Sequence, residues 1–241
     1  MPTHSLARAA TAVFPRVAVE ESNILAAIAT EKRPLSAYDF KDFKKTGKYG
    51  LPSYSTVHAK LFSLLKRQFI DAERQTRNNR IVIKYSLKLS GLLASLASPN
   101  LSDYEVEEIT GIIANHLRLP EQYRKGTKII LQTWFLGLAN RGTDLEFMGP
   151  SLSFFERSLS ECLFSTFGVA SPRDARKFVK FLRDMHWYQS DEVKAFKCFL
   201  LDFIQHDRVA IDNTIGYVFF SDDFGYGPAL VGSFPISADG N

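Results

Sequence analysis

Cysteine is scarce: the 241 residues contain two, Cys162 and Cys198. Both fall in apolar helical patterns and read as reduced core thiols rather than a disulfide framework, which points to a cytoplasmic location. Long apolar runs are missing as well. The longest, Ile129–Ala139, has eleven residues and includes Gln132 and Thr133, too short to span a bilayer. There is no P-loop, no GxGxxG and no GxSxG. The triplet Asp223–Gly225 lacks the glycine-rich loop and strand lysine that would give it a phosphoryl-transfer role. Asp202 and His206 stand four apart with no third ligand at motif spacing, so they read as a helix-end ion pair rather than a metal site. His186 beside Trp187 reads as a buried or interface histidine. No enzyme, cofactor or metal is expected.

Acid is missing from several long stretches, two of them early in the chain. None occurs before Glu20, and none between Ser53 and Ile70. The overall charge of +4 conceals this unevenness. Residues 1–98 hold 16 Lys and Arg against 7 Asp and Glu, a net of +9, while residues 99–241 hold 14 against 19, a net of −5. A basic first part suits a polyanionic partner. Of the 20 phenylalanines, 15 lie after residue 98. The turn at Ser98–Asn100 is the expected boundary between two domains. Residues 1–19 read as a flexible basic arm, with only a faint likeness to an organellar transit peptide.

Within residues 20–98 the period changes from 3.6 to 2 and back. Ser22 is a candidate cap for a helix carrying Ile24, Leu25 and Ile28, which Pro34 stops. Ser36, with Asp39 three residues on, opens a second helix through Phe40 and Phe43. Lys44–Pro52 is a loop. Ser53 caps a third helix with Val57, Leu61, Leu64 and Leu65 on its core face. The opposite side carries Ser55, Thr56, Ala59, Lys60, Ser63 and Arg67. Phe69–Gln75 is a strand, Thr76–Asn79 a turn, and Arg80–Leu87 a strand with Ile81, Ile83, Tyr85 and Leu87 facing one way. Ser90–Ala97 starts another helix. The class is mainly α with a small β-hairpin.

The stretches SYSTVHAKLFSLLKRQFIDAE and IVIKYSLKLSGLLASL resemble the winged helix-turn-helix of bacterial and archaeal transcription regulators, with PadR-like and MarR-like proteins the nearest groups. The resemblance covers about residues 20–97. It departs from the usual pattern at Lys88, where Thr is common, and at Gln68, where Gly usually ends the helix; a left-handed residue there costs a non-glycine something. The resemblance implies that the helix from Ser53 enters the DNA major groove and that the hairpin is the wing. Contacts are then expected from Ser53, Tyr54, Ser55, Thr56 and Lys60 on the helix, and from Arg77, Asn78, Asn79 and Arg80 at the tip. The arginines would meet phosphate or a narrow minor groove, and Ser55, Thr56 and Lys60 would approach bases. The expected partner is double-stranded DNA, and the expected role is sequence-specific transcription regulation. The alternative is an interaction scaffold whose winged helix docks a partner protein.

Residues 99–241 read as a C-terminal helical domain with an irregular tail. Ser102 and Glu105 form a capping box, Thr127–Gly142 is a second helix, Ser151–Gly168 a third, Ser171–Tyr188 a fourth and Asp191–Asp207 a fifth. The aromatic density, including Trp134, Phe135, Phe155, Phe196 and Phe199, has three readings: a phenylalanine-rich core, a homodimer interface, or a pocket for an apolar small-molecule effector. Dimerisation or effector sensing is the expected role of this part.

Overall fold

The structure, a computed structural model, describes residues 3–45, 47–77, 80–155, 158–159 and 190–206. The chain is mainly helical, with one small three-stranded antiparallel sheet. It divides into two compact units: Met1–Arg118 with Gly142–Ser151, and Leu119–Arg141 with Leu152–Asn241. No helix among the described residues is long and apolar enough to cross a membrane.

The first unit is built around α2 (Val19–Glu31), buried continuously from Glu21 to Ala29. This helix starts earlier than the expected cap at Ser22. The Glu21 carboxylate accepts from the Ala18 backbone N–H at 3.1 Å, so the acid closes the first turn from inside. Ser22 then lies within the helix, and its hydroxyl donates to the Val19 carbonyl at 2.8 Å. The flexible basic arm is also corrected. Residues Thr3–Val13 form α1. Leu6, Ala9, Ala10 and Val13 share its buried face, followed by a fully buried Phe14. Phe14 meets Phe69 edge-on at 6.1 Å, and that burial holds the segment in place.

Strand β1 (Leu35–Ser36) separates α2 from α3 (Ala37–Lys45). A single 3₁₀ turn at Lys48–Gly50 leads to α4 (Tyr54–Lys66). Strands β2 (Ile70–Arg77) and β3 (Arg80–Leu87) then pair from Ile70↔Leu87 out to Arg77↔Arg80. Thr76 and Arg77 therefore continue the strand past its expected end at Gln75. β1 adds to β3 through Leu35↔Tyr85, giving the order β1-β3-β2. The sheet's inner end is buried at Ile70 and Tyr85, while Ile81 is 72% exposed.

The end of α4 has the geometry that its sequence makes costly. Gln68 takes a left-handed φ of 63°. Its N–H donates to Leu65 O and the Phe69 N–H to Leu64 O, at 3.1 and 3.0 Å, the paired bonds of a Schellman ending.

Helices α5 (Leu89–Ser95) and α6 (Asp103–His116) pack on α2. Ser102 and Glu105 form the expected capping box on α6. The turn at Ser98–Asn100 does not end this unit. The buried Ser98 hydroxyl donates to Asn23 Oδ1 at 2.7 Å, which ties the turn to α2, and the unit continues through α6 to Arg118.

The second unit contains a 3₁₀ segment (Glu121–Gly126), α7 (Thr127–Asn140) and a helix at Asp191–His206. Helix α8 (Leu145–Met148) belongs to the first unit, and α9 (Asp191–His206) to the second. Trp134, Phe135, Phe155, Phe196 and Phe199 are buried here. Trp134 stacks on Phe135 at 5.5 Å, and its Nε1 donates to Ser158 Oγ at 2.8 Å. These five aromatics make a core. The helix expected at Ser171–Tyr188 and the tail lie outside the described residues, as does Cys162; the helix expected at Ser151–Gly168 does so in large part.

Gly91 sets how closely α5 can approach the hairpin. A Cβ there would lie 2.2 Å from the Phe69 carbonyl oxygen. At Gly111, inside α6, an added Cβ would meet nothing within 4 Å. Chemical denaturation should therefore separate them: Gly91→Ala should cost about 1–3 kcal/mol, and Gly111→Ala should stabilise by about 0.5–1 kcal/mol.

Candidate nucleic-acid interface

Helix α4 begins at Ser53, whose Oγ accepts from the Thr56 N–H at 3.3 Å and lies 2.7 Å from Thr56 Oγ1 and 3.0 Å from Ser55 Oγ. Three hydroxyls thus cluster at the positive end of a helix that contains no acid. The preceding turn is anchored on α2. Thr30 Oγ1 donates to the Tyr49 hydroxyl at 2.7 Å, and that hydroxyl donates to Glu31 at 3.2 Å. Tyr49 holds a φ of 63°.

The roll of α4 about its axis is set by acids of α2. Glu21 is 3% exposed. Its carboxylate receives Arg67 Nη1 at 2.8 Å and the Ser63 hydroxyl at 3.4 Å, with Lys60 Nζ at 3.7 Å. Lys60 also lies 3.9 Å from Glu20. Residues 60, 63 and 67 form one stripe of the helix, and that stripe faces α2. The sequence leads one to expect Lys60 at the bases, but its charge is directed to Glu20 and Glu21 instead. Arg67 further binds Glu146 through two bonds, at 2.7 and 2.6 Å, and donates to the Arg16 carbonyl at 3.1 Å. Its hydrogen bonds to Glu146, and then to Glu21, raise its pKa above the ordinary arginine value against the opposing effect of burial. Arg16 in turn lies 4.3 Å over Phe147 and 3.5 Å from Asp144.

The face left outward is only in part the expected one: Ser55 and Ala59 stay on it, while Lys60, Ser63 and Arg67 turn toward α2. Ser55, His58, Ala59, Phe62 and Lys66 are exposed, spaced as one side of a helix. Phe62 is 71% exposed and Tyr38, on α3, is 68% exposed. Tyr54 is half-buried, 6.3 Å from Tyr38 and 6.0 Å from His58 between ring centres. Position counting from the core stripe at Val57, Leu61 and Leu64 leaves this outward side open to either assignment, and the polar residues toward α2 are the more conspicuous in the sequence.

The hairpin base is tied down by charge. Burial alone would raise the Asp39 carboxyl. The Ser36 hydroxyl and amide, Arg33 and Lys84 outweigh it and hold the pKa at about 2. Lys84 on β3 is 3.4 Å from Asp39. Because the folded value is depressed, the stabilisation is present above the normal carboxylate range and is lost as pH falls toward 2. The outer end has the opposite character. From Arg74 to Lys84 there are four cations and no acid, and the backbone sets Arg77 directly across from Arg80. Asn78 and Asn79, expected at the tip, lie outside the described residues. Ser53, Tyr54, Ser55 and Thr56 thus fall together at the start of α4, and Arg77 and Arg80 at the outer end of the hairpin.

No protein-family model, curated protein or solved structure matches this chain.

Removing Arg67 would leave Glu21 and Glu146 facing each other without their shared cation. Arg67→Ala should lose roughly 3 kcal/mol in urea unfolding. Glu146→Gln should lose much less, because Arg67 keeps Glu21.

Proposed function

We propose that residues 19–97 form a winged helix-turn-helix and that the protein is a sequence-specific DNA-binding transcription regulator. In this reading α4 enters the major groove, and the β2–β3 hairpin is the wing, lying on the backbone or the adjacent minor groove. The order of three helices and a hairpin, with β1 closing the sheet on β3, supports the fold assignment.

One observation carries the functional reading: Arg77 stands opposite Arg80 at the outer end of a hairpin that has no acid between Arg74 and Lys84. Like charges directly opposed across a sheet repel. A phosphate between them turns that cost into attraction, and DNA supplies phosphates in a continuous row. The acid-free α4 with its hydroxyl cluster suits close approach to the same polyanion. The second unit serves dimerisation or effector sensing. A homodimer would set two copies of α4 about one DNA turn apart. Such a regulator works in the cytoplasm, where its thiols stay reduced.

The second reading, a scaffold that docks a partner protein, draws on the exposed Phe62 and Tyr38. Salt separates the two. Binding to DNA weakens steeply with salt through counterion release, whereas an apolar protein contact does not. Arg77→Ala should weaken binding to every duplex and lower the salt slope by about one. A salt titration on selected and random duplexes measures both, and an unchanged slope on both would leave the hairpin as a solvated edge.

A further inference from the structure

We infer that α4 reads thymine methyl groups through Ala59 and Phe62. This rests on the reading above that α4 is the helix in the major groove. The groove offers four kinds of base edge, and protein side chains match them by type. Arg or Lys suits guanine, Asn or Gln suits adenine, Asp or Glu suits cytosine, and apolar groups suit the thymine methyl.

Helix α4 is YSTVHAKLFSLLK. It has no Arg, Asn, Gln, Asp or Glu. Of its two lysines, Lys60 is directed to Glu20 and Glu21, and Lys66 sits in the last turn, away from the leading end that a groove-entering helix presents to base edges. Thr56 bonds to the Ser53 cap. The helix therefore has few groups for bidentate readout. Beside Ser55 and His58, which offer single hydrogen bonds rather than a bidentate pair, it presents Ala59 and a Phe62 that is 71% exposed. The two are three residues apart and so adjacent on one face. The only apolar group on a major-groove edge is the thymine 5-methyl. The stretch from Arg74 to Lys84 carries four cations and no acid, and α4 has no acid either; that charge favours DNA over an apolar protein as the occupant.

Uracil tests this directly, since it differs from thymine by that methyl alone. The full-length protein is titrated by fluorescence anisotropy with a pool of short duplexes of random A·T sequence, and with the same pool made with uracil. The wild type should bind the thymine pool more tightly, by about fourfold for one methyl in contact and about fifteenfold for two. Phe62→Ala should cut the thymine preference by about fourfold, leaving only the Ala59 share, with an unchanged salt slope, and Phe62→Leu should keep more of it. Thermal melts check that each variant is folded. Equal wild-type affinity for the two pools, or a preference undiminished by Phe62→Ala, overturns the inference and leaves DNA binding standing. A Phe62→Ala variant that breaks up a dimer and leaves DNA binding unmoved assigns the face to a protein contact and overturns it too. Failure to bind any duplex removes the DNA-binding reading along with it.

Discussion

The buried carboxylate of Glu21 is the constraint on which the first unit's surface depends. An acid so enclosed requires cationic or hydrogen-bonding partners, and it finds them along one stripe of α4: Lys60, Ser63 and Arg67. Two consequences follow from the same contact. The start of α2 is closed by the other use of Glu21, its bond to the Ala18 N–H. And α4 cannot roll, because its polar stripe is committed inward, which leaves Ser55, His58, Ala59, Phe62 and Lys66 facing solvent. A change at Glu21 would therefore alter both the core helix and the identity of the exposed face.

Charge is sorted along the hairpin in a comparable way. Near the body, cations have acids: Lys84 has Asp39 and Lys88 has Asp71. Glu73 is the last acid of β2, and β3 has none. The inner end is thereby fastened to α3, while the outer end carries concentrated positive charge with no partner acid in its own strands. That division puts packing and ion pairs at the inner end of the hairpin and an acid-free run of cations at the outer end.

Much of this is legible in the sequence where the pattern is local. The core stripe of α4, the Ser53 cap, strand β3, the Ser102–Glu105 box and helix α7 all follow from spacing and end signals. The liability at Gln68 is legible too, and the structure has it in the left-handed region. What is not legible depends on distant partners. Two residues of β1 have no period; they are a strand only because β3 runs beside them. Helix α1 is rich in alanine, and its burial rests on contacts such as Phe14 with Phe69. The turn at Ser98 looks like a linker until its hydroxyl meets Asn23. The roll of α4 depends on an acid far away in the chain, and for that reason Lys60 reads in the sequence as a base contact while Phe62 reads as nothing in particular.

Hydrogen exchange of the full-length protein, with and without duplex DNA, tests the central claim most directly. If α4 and the hairpin form a DNA-binding surface, amides in Ser53–Arg67 and Ile70–Leu87 should gain protection on adding duplex, the gain should fade as salt rises, and α6 should be unaffected. Protection confined to α6 or α7, or none at a concentration where duplex is bound, would contradict it.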